Sequence, residues 1–344
     1  MSARERTVAI TIAHKLLLLL YEKKLITASG TQYSERWPDI LLKSIECGGD
    51  SDWSCLRRSL AALISRIAVH DFDAEHYLSM ADRWKPHVEE VIERFRIIAV
   101  VYGHPGYPLQ MASLPVGTTS PVQMPPVLYI RGSPEVLQRS PSVAIVGTRE
   151  PSEHGRRHAF DLSYSLARDG YPIVSGLALG IDTAAHHGAL DANGVTVAVL
   201  ATPPEKIYPA RNKLLAERIL HYGGTVVSEW PIGHQTQRWH FPLRNRIQSA
   251  LSSAVVVVET RTKGGSIATA EAAFAQGRKV FVPHPMTFGR RDWISDPQNP
   301  QSGLRLLYER GRAGSVRTYQ TTKQLREYLR DERELKQLRL FDED

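Results

Sequence analysis

Cysteine is nearly absent: Cys47 and Cys55 are the two in 344 residues. Their spacing fits neither a zinc ribbon nor a redox pair, and two thiols make no disulfide framework. A cross-linked extracellular scaffold is excluded, and a reducing, cytoplasmic setting is the expectation. No apolar run is long enough to span a bilayer. The leucines at 16–20 follow His14 and Lys15, but Glu22, Lys23 and Lys24 come next and no small-residue cleavage site is visible, so they read as part of a helix. The nucleotide fingerprints are missing too. GxGxxG does not occur at the required spacing, and Lys263 precedes its glycines, against the order of GxxxxGK[ST]. No cofactor and no ATP hydrolysis are expected. His186 and His187 are adjacent and diverge on a helix, whereas His154 and His158 have helical spacing but no third ligand, so no metal site is expected. There are no internal repeats and no low-complexity tracts.

What is present is ordinary globular composition, with 42% hydrophobic and 23% charged residues, which argues against disorder. The formal charge of +7 suits a polyanionic partner without identifying one. Residues 1–96 carry apolar side chains at helical spacing over 7–24, 53–68 and 73–96, and read as a helical accessory domain. Over 97–310 short apolar runs dominate: "IIAVV", "VLYIRG", "SVAIVG", "YPIVSG", "VTVAVLA", "GTVVSEW", "SAVVVVE" and "KVFVP". From 142 onward they alternate with helical stretches near 153–168, 181–192, 210–222, 243–251 and 266–276. Strands that are apolar throughout and alternate with helices build a parallel sheet covered on both faces. The expected class is therefore α/β: an extended Rossmann-like, doubly wound, mostly parallel sheet with a small N-terminal helical domain. After Pro285 the pattern becomes irregular, and 311–344 reads as a C-terminal tail with a charged helix over 321–340.

Ligands of such sheets bind beyond the carboxyl ends of the strands, and four post-strand segments stand out. In "VGTREPSEHG", Gly147 permits a tight turn and Arg149 stands beside a helix start, where a phosphate docks. In "VSGLALGIDTAAHHGAL", Ser175 and Gly176 end a strand and Asp182 is a candidate helix cap. The third segment, 229–252, is the richest. No acid occurs between Glu229 and Glu259, while Arg238, Arg244 and Arg246 flank Trp239, His240 and Phe241. Cations hold phosphates there, and ring faces stack on unpaired bases that a duplex would hide. In the fourth, Lys263, Gly264, Gly265 and Ser266 form a basic turn before a helix. Each segment also reads as an ordinary turn with surface charges and core aromatics. Their recurrence along one sheet edge favours an anion site.

These motifs, in the order "GYPLQM…PPVLYIRG", "VAIVGTREPSEHG", "IVSGLALGIDTAAHHGAL", "VAVLATPPEKIYPARNKLL", "VSEWPIG", "HFPLRNRI" and "VVVVETRTKGGSIATAEAAFAQGRKVFVP", resemble the DprA (DNA-processing, Smf) family over roughly residues 100–310. The resemblance implies binding of single-stranded DNA without large sequence preference, loading of a RecA-type recombinase during DNA uptake, a homodimer, and neither a catalytic activity nor a required cofactor. It assigns DNA contacts to Arg149, Ser175, Gly176, Phe241, Arg244, Asn245 and Arg246. Arg238 and Lys263 are added from charge and position. The sequence departs from the family where His284 follows Pro283, and no winged-helix pattern is expected after 310.

The competing reading is a nucleotide-sensing or nucleotide-hydrolysing protein on a related fold. The phosphoribohydrolase signature GGxGTxxE is broken in "GGSIATAE", where Ile267 stands at a glycine position. Arg246 and Glu259 could be forced into catalytic roles, but no paired acid and base accompanies them.

Overall fold

In the computed structural model, residues 2–22, 57–58, 60–61, 73–115, 120, 122–139, 141–310 and 316–330 are described. Among the described residues, nine strands form one sheet: β1 (Ile98–Val101), β2 (Val127–Gly132), β3 (Val143–Val146), β4 (Ile173–Ser175), β5 (Thr196–Leu200), β6 (Thr225–Ser228), β7 (Ala254–Val257), β8 (Lys279–Pro283) and β9 (Val316–Tyr319). Their spatial order is β1-β2-β6-β5-β4-β3-β7-β8-β9. β1 and β2 pair antiparallel with each other, and β2 is antiparallel to β6. Every other pairing is parallel.

The apolar runs are continuous because both sheet faces are buried. In the central pair, Ala144 lies opposite Val255 and Val146 opposite Val257. These four face the helices His240–Ala250 and Gly265–Ala275, packing with Ile247, Ala250, Ile267, Ala270 and Ala273. Their neighbours Val143, Ile145, Ala254 and Val256 face the other way, onto the helices Glu153–Arg168 and Ile181–Asp191. Side chains alternate across a strand, so each residue of β3 and β7 serves one core or the other. Each fully buried Val, Ile or Leu contributes about 1.5–3 kcal/mol. Ser152 caps the helix Glu153–Arg168, its Oγ accepting from the Gly155 N–H at 3.0 Å.

The expected helices are found at the expected places, with shifted ends. The helix carrying Phe241 starts at His240, not near 243. The expected helix near 210–222 is a short 3-10 turn, Ala210–Asn212, followed by Lys213–His221. The stretch after Pro285 is less irregular than its sequence implies. It holds the helix Ser302–Arg310 and the edge strand β9, which pairs parallel with β8. Of the charged segment 321–340, residues 322–330 are helical and the remainder lies outside the described residues.

The helices Ala3–Glu22 and Ala74–Phe95 pack on the antiparallel end of the sheet. Ile12, Leu16, Val88 and Ile92 share one core with Val127 and Tyr129 of β2, and with Trp230 and Ile232 beyond β6. Residues 57–58 and 60–61 are helical, and the rest of the expected 53–68 helix lies outside the described residues. Among the described residues, no helix is long and apolar enough to cross a membrane.

Candidate nucleic-acid interface

From β3 the chain steps outward through β4, β5 and β6, then crosses back to place β7 beside β3 on the other side. The order in which strands are added reverses between β3 and β7, and the crevice beyond their carboxyl ends is where such folds hold ligands. A cleft of about 830 Å³ lies there. Its walls are the turn of Gly147, Thr148 and Arg149, the helix residues Phe241, Arg244, Asn245 and Gln248, and the turn of residues 263–266.

Close backbone approach builds the β3 side. Gly147 has no room for a side chain: an added Cβ would lie 2.6 Å from Ile181 Cγ1 and 2.8 Å from the Glu259 carbonyl. The Thr148 N–H donates to that carbonyl at 2.8 Å. Gly180, at φ +80°, is crowded by the backbone of Thr148 and Arg149. The turn is therefore held from two sides, and it presents Arg149 to solvent. The Arg149 guanidinium lies over the Phe241 ring, 5.8 Å from its centroid, within cation–π range. The half-buried Phe241 meets Tyr208 edge-on at 5.3 Å.

Arg244 works from beneath. Its Nη1 donates to the Gly176 carbonyl at 2.7 Å and to the Val199 carbonyl, and its Nε donates to Asn245 Oδ1 at 3.2 Å. A Cβ on Gly176 would stand 2.5 Å from this guanidinium, so any larger residue there would displace Arg244. Burial pulls the Arg244 pKa down to about 10, with Arg149 adding repulsion and Asp182 opposing. The group remains a cation at neutral pH. Asp182 does not cap the helix Ile181–Asp191. Its Oδ2 accepts from the N–H groups of Gly176 at 3.0 Å and Ala178 at 3.4 Å. Burial raises its pKa, and Arg244 opposes the rise.

Across the cleft, Asn245 Nδ2 donates to the Gly265 carbonyl at 3.0 Å and fixes the start of the helix Gly265–Ala275. Lys263 is exposed at this end. The Ser266 hydroxyl is buried, lines the cleft and has no hydrogen-bond partner among the described residues. A helix start, a buried hydroxyl and a lysine together suit an anion. Two acids, Glu150 and Asp182, also line the cleft, and Arg261 pairs with Glu150 at 3.1 Å.

Of the nine residues expected to contact DNA, the structure brings Arg149, Phe241, Arg244, Asn245 and Lys263 to this cleft. Gly176 reaches a smaller adjoining notch. Arg238 is exposed on the loop before the helix and is not among the cleft-lining residues. Two expectations need correction. Arg246 is 2% exposed and forms a bidentate pair with Glu229 at 2.9 and 2.6 Å, while its Nε donates to the Gln123 carbonyl at 2.8 Å. Ser175 is fully buried, and its hydroxyl donates to the Ile145 carbonyl at 2.7 Å. Both residues brace the rim from inside. Glu259 is likewise internal: its carboxylate accepts from the Ser152 N–H at 2.8 Å, the Ser152 hydroxyl at 2.6 Å and Gln301 at 2.7 Å. Tyr208 and Arg261 were not singled out from sequence, whereas Ser266 belongs to the expected basic turn. The tyrosine in "EKIYPARN" follows a strand, which was the available signal.

Comparison with known proteins identifies the family. The family profile described as DNA recombination-mediator protein A matches residues 98–322. The DNA processing protein DprA of Streptococcus pneumoniae is 33% identical over 253 residues, covering 73% of this chain and 84% of that protein. Protein Smf of Synechocystis is 44% identical over 180 residues, 52% of this chain and 43% of its own length, so the chain matches under half of that relative. Among solved structures, that of S. pneumoniae DprA superposes with a TM-score of 0.60 at 27% identity, covering 83% of this chain and 91% of the other. A structure of Helicobacter pylori DNA processing protein A, described for its single-stranded DNA binding mode, gives 0.56 at 26% identity, covering 69% and 97%. The switch-point cleft thus sits within a matched region that spans nearly the whole sheet, and the chain belongs to the DNA recombination-mediator protein A (DprA/Smf) family.

Proposed function

We propose that the chain binds single-stranded DNA through the switch-point cleft, with little sequence preference and without catalysis. The observation that carries this reading is the stacking of the Arg149 guanidinium on Phe241 at the mouth of the cleft. Phosphates engage Arg149, Lys263 and the helix start at Ser266, and an unpaired base stacks on the aromatic surface. Arg244 and Asn245 set the shape of the floor, and Arg246 and Ser175 support it from within. Non-catalytic action fits the internal bonding of Arg246 and Glu259, which leaves neither as a reactive group. The likeness to DprA proteins supports the wider role: a cytoplasmic homodimer that protects incoming DNA and hands it to a RecA-type recombinase in uptake or recombination.

A gel-shift series tests the core of this reading. Labelled oligo-dT should be displaced by unlabelled single strands, poorly by duplex, and not by thymidine monophosphate at equal nucleotide concentration. Equal displacement by the mononucleotide would favour the nucleotide-sensing alternative.

A further inference from the structure

We propose that Tyr208 forms a second stacking subsite, next to Phe241, for the neighbouring base of the same strand. The inference rests on the single-strand reading of the cleft and extends it past the cleft wall.

The loop after β5 brings Tyr208 to the rim. It is 50% exposed, so its ring is not a core group. Its contact with Phe241 is edge-on, with ring planes 65° apart. Arg149 lies against Phe241 as well. Three side chains from three separate segments therefore form one continuous surface. Beside it is a notch of about 60 Å³, walled by Tyr208, Phe241, Leu179 and Pro209, with Arg149 and Arg244 on its lining. The main cleft and the notch share Arg149, Phe241 and Arg244. Phe241 is thus a ridge between two spaces, not the end of one.

The chemistry selects an occupant. Two aromatic rings and aliphatic walls suit the flat face of a base, and two guanidinium groups suit its carbonyl oxygens and the linking phosphate. A bare phosphate would leave the aromatic walls unused. A sandwich around one base requires parallel rings, and these are far from parallel. Each ring face therefore takes its own base. The shared Arg149 sits where the phosphate between the two bases must pass. The shortest strand that uses both subsites is a dinucleotide step laid over Phe241.

The test compares Tyr208→Ala, Tyr208→Phe and Phe241→Ala by fluorescence titration with oligo-dT carrying 2-aminopurine at successive positions. Thermal melting confirms that each variant is folded. Tyr208→Ala should weaken binding roughly tenfold, whereas Tyr208→Phe should stay near the wild type because the ring is retained. The stacking signal should occur at two adjacent positions in the wild type and at one in Tyr208→Ala. If Tyr208→Ala binds as the wild type does while Phe241→Ala is weakened, the second subsite is wrong and the single-strand reading stands. If Tyr208→Phe loses as much as Tyr208→Ala, the hydroxyl acts and stacking is refuted. If the wild type binds no single strand, both readings fall together.

Discussion

The guanidinium of Arg149 stands 5.8 Å from the centre of the Phe241 ring, although the two residues approach from opposite sides of the sheet's reversal point. Arg149 follows β3 directly, whereas Phe241 opens the helix that crosses back to β7. The contact exists because the crossover returns the chain to the strand it left. It joins a cation and an aromatic face in one place, and the proposed single-strand binding uses both, the cation for phosphate and the ring for an unpaired base.

The two members of that contact should separate in salt titrations. Arg149→Ala should flatten the slope of log affinity against log salt by about 0.7, the loss of one phosphate contact on a single strand. Phe241→Ala should leave the slope unchanged and cost about 1–3 kcal/mol at every salt concentration. Fluorescence anisotropy with oligo-dT between low and moderate salt reads both effects.

Arg246 should behave as a core residue. Arg246→Ala leaves Glu229 buried without its partner, and breaking such a pair costs about 3–5 kcal/mol. Urea unfolding should show that loss as a lower midpoint. Replacing Arg246 by Met and Glu229 by Leu together should be far milder, because no unpaired charge remains.

Gly176→Ala should be more damaging than its size suggests. The new methyl group would meet the Arg244 guanidinium, whose bonds to the Gly176 and Val199 carbonyls would have to shift. Reduced stability and reduced DNA affinity should appear together in the same melting and binding assays.

Ser266→Ala should separate the two quantities. The hydroxyl has no hydrogen-bond partner among the described residues, so the melting temperature should change little. Affinity for oligo-dT should fall by about 0.5–1.5 kcal/mol, the ordinary worth of one hydrogen bond.

Acid should destabilise the fold through buried histidines. Burial lowers His14 and His186 to about 3 and His158, His234 and His240 to about 4, so all are neutral in the folded chain near pH 7. In the unfolded chain each titrates near ~6.5. Between those values the unfolded state binds more protons, so the stabilisation is complete above the unfolded value and is lost as pH falls toward the folded ones. Asp182 and Glu205, raised by burial, act in the opposite sense and offset a part of this. Urea midpoints measured from pH 7.5 to 4.5 should decline, most steeply below pH 6.

The strands from β3 to β8 were legible because a strand buried on both faces must be apolar throughout. β9 was not. "VRTY" is short, lies at the sheet edge and exposes its second residue, so it carries no such run. The helix Ser302–Arg310 follows a loop of Asp, Pro, Asn and Gln residues, and its nine residues are too few to impose a period. The cleft was legible as a set of post-strand turns, since topology gathers such turns at one edge. The division of labour within "FPLRNR" was harder to read. Charge alone does not distinguish an exposed arginine from a buried one. Residues two apart on a helix point to opposite sides, so Arg244 and Arg246 could not both face the cleft. Tyr208 escaped notice because its meaning depends on a ring that only the fold brings beside it.

Photocrosslinking would show which side chains an unpaired base touches. Oligo-dT substituted with 5-bromouracil would be irradiated with the protein, and the attached peptides identified by mass spectrometry. The account predicts adducts on the peptides carrying Phe241 and Tyr208, lost when excess unlabelled single strand competes. Adducts confined to the helices Ala3–Glu22 and Ala74–Phe95, or to the exposed Arg238 and Trp239 with none at Phe241, would contradict it.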